Sequence, residues 1–176
     1  MDPGIADAVL SLAARRGDAA MYADYQRRFE SAEVPAVRRR FLGALGAFED
    51  RALETRTLEY MLSDKVRPTE ILQLLRGMEG RDEAFADRMF RWITEHYTQL
   101  AGRLPPPSLR FMPLLGSGCS AERFAATRGF FGDPERAVPG AEQTLARVGD
   151  QVNTCLSLRE REGERVTRYM RGFTIN

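Results

Sequence analysis

The sequence predicts an all-α protein, and three observations support this prediction. Apolar residues recur at intervals of three and four along most of the chain, which is the spacing of one helix face. Between these segments stand residues that begin or end helices, such as Gly17, Asp18 and Pro35. Segments in which apolar and polar residues alternate, as they would in a strand, are absent from the sequence. We therefore expect helices joined by short turns.

Four helices are predicted in the first part of the chain. The first ends near Gly17, and Asp18 caps the second, because its carboxylate can accept hydrogen bonds from first-turn amides. Pro35 suits the first turn of the third helix, where its missing N–H is not needed. Asp50 opens the fourth helix. The apolar residues that follow the helical spacing are Val9, Leu10, Leu12, Met21, Tyr22, Tyr25, Phe29, Val37, Phe41, Leu42, Leu45, Phe48, Leu53, Tyr60 and Met61.

Two glycines weaken the predicted third helix, and their spacing places them close to one face of it. Gly43 and Gly46 lie three residues apart, so they are close to the same helix face. Because glycine has no side chain beyond its Cα, we expect a neighbouring helix to approach closely at this point.

The middle of the chain predicts two more helices. Pro68 begins the fifth. The sixth continues to Gly102 and the prolines that follow it, and its apolar face carries Phe85, Met89, Trp92, Ile93, His96 and Leu100. In this interpretation Trp92 is a core residue, and His96 beside it is a satisfied, partly buried histidine rather than a metal ligand.

The C-terminal part of the chain is divided by proline and glycine. The prolines at 105–107 stop the sixth helix, because proline denies the backbone its donors. Ser120 caps the next helix, which runs to Phe131. A long helix is then predicted over 141–161, and a separate last helix over 164–171.

The order of these elements predicts an architecture. Consecutive antiparallel helix pairs of about 30 to 40 residues are typical of HEAT and armadillo repeats. We therefore predict one helical-repeat domain over residues 1–176, folded as an irregular HEAT- or armadillo-like α-superhelix. No exact sequence period is visible, so an irregular helical bundle remains the alternative.

Composition excludes several classes of partner. The 176 residues carry a formal net charge of +1, which gives no field to attract nucleic acid or an anionic membrane. No stretch approaches the roughly 20 apolar residues that a membrane span requires. The opening residues place an aspartate before the apolar run, unlike a secretion signal. We expect a cytoplasmic protein that binds neither nucleic acid nor membrane.

Arg38, Arg39 and Arg40 form a short basic run on a helix. We interpret the run as a solvated face with ion pairs to Glu33 or neighbouring residues rather than as an RNA site. The acidic pair at 82–83 stands at a helix start, where the helix dipole stabilises negative charge, and needs no further role.

The residues taken alone predict no active site. His96 is the only histidine, and a metal site requires several converging ligands. The two cysteines, Cys119 and Cys155, are predicted to be structural rather than a disulfide framework. Cys155 follows an apolar stripe and is interpreted as a small buried hydrophobic residue. We predict no catalytic residue, no metal ligand and no cofactor in this chain.

Four segments occur in an order that resembles a known family. They are RRFLGALGAFEDRALETRTLEYMLSDKVRP, then FRWITEHYTQLAGRLP, then GCSAERFAATRGFFGD, then EQTLARVGDQVNTCLSLREREGERVTRYM. Together they resemble the C-terminal helical domain of the M1 family zinc aminopeptidases, in its bacterial branch. Tyr97 stands near a position where many relatives have a second tryptophan, which is a departure from the pattern.

The resemblance implies a function that this chain cannot perform alone. In that family, HExxH and a distal glutamate hold zinc, and GxMEN recognises the substrate amine; neither motif occurs in this sequence. We therefore expect a non-catalytic domain that covers the active-site chamber and helps to bind and select peptides. Zinc would belong to the catalytic domain, and the partners would be the catalytic domains and the peptide. The alternative is a free-standing helical-repeat scaffold that binds a protein or peptide along a groove.

Arg110 is the one substrate-binding residue that we predict. It lies between the proline-rich and glycine-rich turns, where the resemblance implies a side chain that faces the chamber. A guanidinium there could pair with a peptide carboxylate. The alternative is an ordinary surface arginine. We also expect the isolated domain to self-associate through apolar surface that the catalytic domains normally cover.

Overall fold

A computed structural model describes residues 3–78 and 80–172, with side chains from residue 5 onward. Within these residues the chain is all-α and forms no strand, which confirms the predicted fold class. The α-helices are α1 Pro3–Arg15, α2 Ala19–Ser31, α3 Pro35–Leu45, α4 Arg51–Met61, α5 Pro68–Gly77, α6 Glu83–Glu95, α7 Tyr97–Arg103, α8 Pro106–Leu109, α9 Ala121–Phe131 and α10 Ala141–Arg171. Two 3₁₀ helices occupy Met112–Gly116 and Pro134–Arg136. No helix of the described residues has the length and apolar character that a membrane crossing requires.

The chain forms two compact units. The first comprises Met1–Arg81 and Thr98–Pro105, and the second comprises Asp82–Tyr97 and Pro106–Asn176. The single domain over 1–176 and its superhelical arrangement stay predictions.

The predicted helix starts are confirmed by their capping contacts. The carboxylate of Asp18 accepts a hydrogen bond from the backbone N–H of Met21 at 2.9 Å. The Ser120 hydroxyl accepts one from the backbone N–H of Arg123 at 3.1 Å. Each contact satisfies a first-turn amide that has no partner within its helix. The other confirmed starts are Pro35, Asp50 and Pro68.

An aromatic cluster lies at the core of the first unit. Helix α2 packs on α3, and Tyr22, Phe29 and Phe48 are fully buried. The rings of Tyr22 and Phe48 meet edge to face, with centroids 5.1 Å apart. The Thr57 hydroxyl donates a hydrogen bond to the Tyr22 hydroxyl at 3.1 Å, so the buried phenol keeps a polar partner. Burial raises the pKa of Tyr22.

Helices α3 and α5 cross at glycines. A Cβ placed on Gly46 would lie 2.9 Å from the backbone carbon of Gly77 and 2.9 Å from the carbonyl oxygen of Leu74. A Cβ on Gly77 would overlap the carbonyl oxygen of Gly43. A Cβ on Gly43 itself would meet no atom within 4 Å. The close approach predicted at the α3 glycines is therefore confirmed, with Gly77 as the partner.

The prediction of a solvated arginine run is wrong for Arg38. Its side chain is 12% exposed, and its Nε donates to Oε1 of Glu70 at 2.7 Å. Its Nη2 also donates to the Lys65 carbonyl oxygen at 2.8 Å, and its guanidinium carbon lies 3.9 Å from the Phe29 ring centre. Arg38 thus joins α3 to α5, because the helix packing brings Glu70 of α5 to it. Arg40 pairs with Asp7 of α1.

Helix α6 ends earlier than the sequence predicts. It stops at Glu95, and His96 is its C-cap, so Phe85 to Leu100 is not one helix. Both the backbone N–H and the ring Nδ1 of His96 contact the Trp92 carbonyl oxygen, at 3.0 Å and 2.8 Å. A side chain that hydrogen-bonds to a helix carbonyl oxygen competes with the backbone N–H groups of the helix, and this competition favours the end of the helix. Leu100 is buried as expected, but it belongs to α7.

Helix α10 is longer than predicted. It runs without interruption from Ala141 to Arg171, so the separate helices at 141–161 and 164–171 are wrong. Gly163 lies within it and costs helical propensity, but the structure keeps the helix continuous.

The two cysteines form a disulfide, which corrects their interpretation. Cys119 and Cys155 are bonded, with their Cα atoms 5.4 Å apart and a sequence separation of 36. Packing of α10 on α9 brings them together, and sequence spacing alone gives no sign of it. Cys155 is half-buried rather than a buried hydrophobic residue, and Trp92 is half-buried rather than a core residue. His96 is half-buried and hydrogen-bonded, as expected of a satisfied, partly buried histidine.

Candidate peptide-binding surface around Arg110

Arg110 lies in the turn between α8 and the Met112–Gly116 helix, in the second unit. Its side chain is exposed, and its guanidinium carbon lies 4.7 Å from the ring centre of Phe111. Among the described residues, no carboxylate forms an ion pair with Arg110. The guanidinium is therefore positioned by an aromatic ring while its hydrogen-bond donors face solvent.

The backbone around Arg110 is ordered by short-range hydrogen bonds. The N–H of Phe111 donates to the Ser108 carbonyl oxygen at 3.0 Å, and the N–H of Leu114 donates to the Phe111 carbonyl oxygen at 3.0 Å. Met112 is 2% exposed and anchors the turn in the second unit. The turn is consequently a fixed platform, and Arg110 projects from it.

Gly140 lies against the side chain of Arg110. A Cβ on Gly140 would be 3.5 Å from the Arg110 Cδ, and Gly140 has a φ of +87°, which favours glycine. It is the N-cap residue of α10, and α10 begins without a side-chain cap. The positive end of a helix dipole is thus close to the guanidinium. Glu142 adds a negative charge in the same first turn, so an anion at this position depends mainly on Arg110.

Apolar surface adjoins the guanidinium. Phe111 and Leu114 are each 39% exposed, although both belong to residue types that normally seek burial. A cation beside exposed apolar side chains can bind a group that combines a carboxylate with an apolar side chain. The end of a peptide has this chemistry.

The second unit also contains a charge cluster that sequence reasoning missed. The side chain of Arg123 is 2% exposed, and it pairs with the carboxylates of Glu83 and Asp87 from α6. Glu83 accepts the backbone N–H of Cys119 at 2.9 Å, and this hydrogen bond, followed by the contact with Arg123, lowers the pKa of Glu83. Glu83 therefore does more than stabilise a helix start. In the sequence, the helical spacing of Arg123, Thr127 and Phe131 is the one sign that these side chains share a face of α9, and in the structure all three are buried.

In a buried ion pair of the first unit, each charged side chain is also neutralised by the other. Glu54 and Arg81 form an ion pair with side chains 5% and 10% exposed, and Arg81 also donates to the Phe48 carbonyl oxygen at 3.0 Å. Burial of a charge is tolerated when it is paired and hydrogen-bonded in this way. Neither this pair nor the Arg123 cluster leaves a carboxylate free for acid–base chemistry.

His96 is used in packing. Its ring stacks on the Trp92 ring with centroids 4.2 Å apart and planes 15° apart. Across the described part of the chain, no group of three or more His, Cys, Asp and Glu residues could hold a metal ion. The described residues therefore do not fit a zinc ion.

The fold and this surface define an all-helical domain that presents a cationic and aromatic surface. The model of one family, the ERAP1-like C-terminal domain, matches residues 1–154. The chain belongs to this family, which confirms the resemblance to the C-terminal domain of M1 aminopeptidases. The bacterial branch stays a prediction.

Two relatives from Saccharomyces cerevisiae are aminopeptidases. Alanine/arginine aminopeptidase is 30% identical over 138 residues, which cover 74% of this chain and 15% of the relative. The mitochondrial aminopeptidase 2 is 25% identical over 134 residues, which cover 74% of this chain and 14% of the relative. The chain thus spans a small part of the length of the curated relatives that it matches.

Proposed function

We propose that this chain is the non-catalytic C-terminal domain of an M1 zinc aminopeptidase, where it covers the active-site chamber and helps to bind and select peptides. Its family supports this proposal, since both yeast relatives are aminopeptidases that extend far beyond the matched region. The alternative of a free-standing scaffold has no comparable support.

The proposed role has a physical basis. A domain that closes over an active site excludes water and positions the substrate, and both effects favour the reaction without any catalytic group in the cover. Arg110 would pair with a peptide carboxylate through charge-assisted hydrogen bonds, beside Phe111 and Leu114. The observation that carries the assignment is the exposed Arg110 guanidinium, held against Phe111 and Gly140 with no ion-pair partner among the described residues.

The remaining predictions follow from this role. The catalytic domains of the parent enzyme would be the main partner, and they would hold the zinc ion, because the described residues of this chain do not fit one. The cytoplasmic location and the self-association of the isolated domain stay predictions. Exposed apolar side chains on α1 support self-association; they are Ile5, Val9 and Leu12, with exposed fractions of 57%, 47% and 63%.

Arg110→Ala in the full-length parent enzyme tests the assignment. We expect the variant to raise KM for peptides by about tenfold or more, because a hydrogen bond to a charged group contributes roughly 1.5 to 3 kcal/mol. KM for single-residue aminoacyl amides should not change, since these substrates have no distant carboxylate. The measurement is steady-state kinetics on both substrate types.

Two comparisons make the experiment specific. Peptides with an amidated C-terminus should respond little to Arg110→Ala, because they lack the carboxylate. Arg128→Ala is the matched control, since Arg128 is an exposed arginine of the same unit that forms no ion pair within the described residues. Equal effects of Arg110→Ala on peptides and on aminoacyl amides would contradict the assignment.

A further inference from the structure

We propose that the Cys119–Cys155 disulfide is a reversible redox latch that sets how much of α10 stays packed on the second unit. The disulfide joins the residue before the N-cap of α9 to the last packed turn of α10. Its reduction releases the C-terminal half of α10 and leaves the rest of the unit folded.

The latch lies where the packing of α10 ends. The last buried residue of α10 is Val152. Cys155 and Leu156 are half-buried, and the side chains from 157 to 172 are exposed apart from the half-buried positions 162 and 163. The buried apolar contacts of α10 stop at Val152. The disulfide at Cys155 lies one turn further on, and it attaches that turn covalently to the rest of the second unit.

The two ends of the disulfide are held very differently. On the Cys119 side, the backbone N–H of Cys119 donates to Glu83 at 2.9 Å, and Nη2 of Arg123 donates to the Ser117 carbonyl oxygen at 2.8 Å. On the α10 side, the described residues after Val152 add one long hydrogen bond to this loop, from Arg159 Nη1 to the Cys119 carbonyl oxygen at 3.5 Å. Reduction should therefore leave the loop in place and free α10.

The sulfur atoms are placed for exchange with small thiols. Both cysteines are half-buried, and their neighbours Gly118, Thr154 and Ser157 are exposed, so a reductant can approach. Cys119 directly precedes the start of α9 and lies beside the guanidinium of Arg159. Positive charge and a helix N-terminus favour the thiolate, which is the reactive form in thiol–disulfide exchange.

The proposed reaction is exchange with a monothiol such as glutathione. The thiolate of the first glutathione attacks one sulfur atom, the S–S bond breaks, and the other cysteine leaves as a thiolate that takes up a proton. A second glutathione then attacks the mixed disulfide and releases the remaining cysteine. The protein gains two electrons and two protons, and two glutathione molecules become one glutathione disulfide. Oxidised glutathione reverses the reaction.

Release of the latch has a defined structural consequence. Without the disulfide, the helix beyond Val152 has half-buried side chains only at 155, 156, 162 and 163, so it depends largely on its own helical propensity. In proteins most helical stability comes from the packing of an apolar face, and the exposed end of α10 has little such packing; Gly163 lowers its helical propensity further. We expect the backbone amides of residues 153–160, on both sides of the latch, to lose protection.

Hydrogen–deuterium exchange of the whole chain, oxidised and fully reduced, tests the latch. Reduction should speed exchange at residues 153–160 by tenfold or more, and reoxidation should restore the slow rate. The buried α2 residues around Tyr22 and the helix α9 provide the internal reference and should exchange at the same rate in both states. Unchanged exchange at 153–160 after reduction would overturn the proposal.

A variant and a redox titration complete the test. The double variant Cys119→Ser, Cys155→Ser should show the fast exchange of the reduced protein and should not respond to reductant; any response would overturn the latch. Alkylation and mass analysis in glutathione buffers should show a pair that converts from disulfide to dithiol as reduced glutathione increases. A pair that stays oxidised in excess reduced glutathione would be a permanent cross-link, which excludes a switch.

Discussion

At the scale of single residues, Glu70 shows how this domain holds charge at a helix contact. Burial raises the pKa of Glu70, but the hydrogen bonds from Arg38 and from the backbone N–H of Arg67 outweigh it, so the pKa lies below its usual value. A carboxylate whose folded pKa is lowered adds stability above the pKa of the unfolded chain. That stability is lost as pH falls through the folded pKa.

Glu70→Gln should therefore lower the free energy of unfolding at neutral pH by about 1 to 3 kcal/mol, because Arg38 loses its charged partner. The difference between variant and wild type should begin to shrink as the pH falls below about 4, the pKa of the unfolded chain, and should be lost only below the lowered pKa of the folded carboxyl. Urea unfolding at pH 7 and pH 3 measures both effects. Glu59→Gln is the control, since Glu59 is exposed and forms no ion pair with a described residue; equal losses in the two variants would disprove the role of Glu70.

The exposure of a side chain in a turn could be predicted from the sequence, whereas the ion-pair partners of charged residues could not. The exposure of Arg110 agrees with a position in a proline- and glycine-bounded turn. The sequence predicts a solvated face for Arg38, which stands in a basic run, and only a helix start for Glu83. Their partners, Glu70 and Arg123, lie 32 and 40 residues away in sequence, and only the packing of helices brings them together. Arg110 as a substrate-binding residue stays a prediction.

At the scale of helices, the α3–α5 crossing depends on which glycine faces the neighbour. Gly46 has backbone atoms of α5 within 3 Å of where a Cβ would lie, whereas Gly43 has no atom within 4 Å of the same point. Backbone atoms cannot rotate away as a flexible side chain can. The two glycines are therefore a matched pair for testing close packing.

Gly46→Ala should destabilise the protein by about 1 to 3 kcal/mol, because the added methyl forces α3 and α5 apart. Gly43→Ala should leave stability unchanged or raise it by up to about 1 kcal/mol, since alanine favours a helix over glycine and its methyl meets open space. Thermal or urea unfolding of both variants is the measurement. A similar loss of stability in both variants would show that the close approach at Gly46 is not what distinguishes these two positions.

The helix starts could be predicted from the sequence, whereas two helix ends could not. Caps such as Asp18 and Ser120 act within one turn, so the residues that determine them are adjacent in the chain. The break at His96 arises from a side-chain contact with the Trp92 carbonyl oxygen, which apolar spacing does not report. The continuity of α10 through Gly163 and the disulfide at Cys155 likewise depend on the folded unit.

At the scale of the whole molecule, the helical fold and the family followed from the sequence, whereas the part that this chain plays in an enzyme stays a proposal. The family match covers residues 1–154, and the order of short motifs along the chain had already indicated it. A chain that spans 15% of an aminopeptidase can retain the fold of one domain without the residues that perform hydrolysis. We propose that the domain contributes in two ways: it closes a chamber, and it supplies one cation for a peptide carboxylate.

The isolated chain should therefore hydrolyse no aminoacyl amide, even with zinc added. His96 is the only histidine in the sequence, and it is held by Trp92, while the described residues contain no group of three or more potential ligands that could hold a metal. Release of a chromogenic amine from alanyl and arginyl substrates over a range of zinc concentrations is the measurement, with the full-length parent enzyme as the positive control. Turnover by the isolated chain that a chelator abolishes would locate a catalytic metal site within these 176 residues and contradict the proposed non-catalytic role.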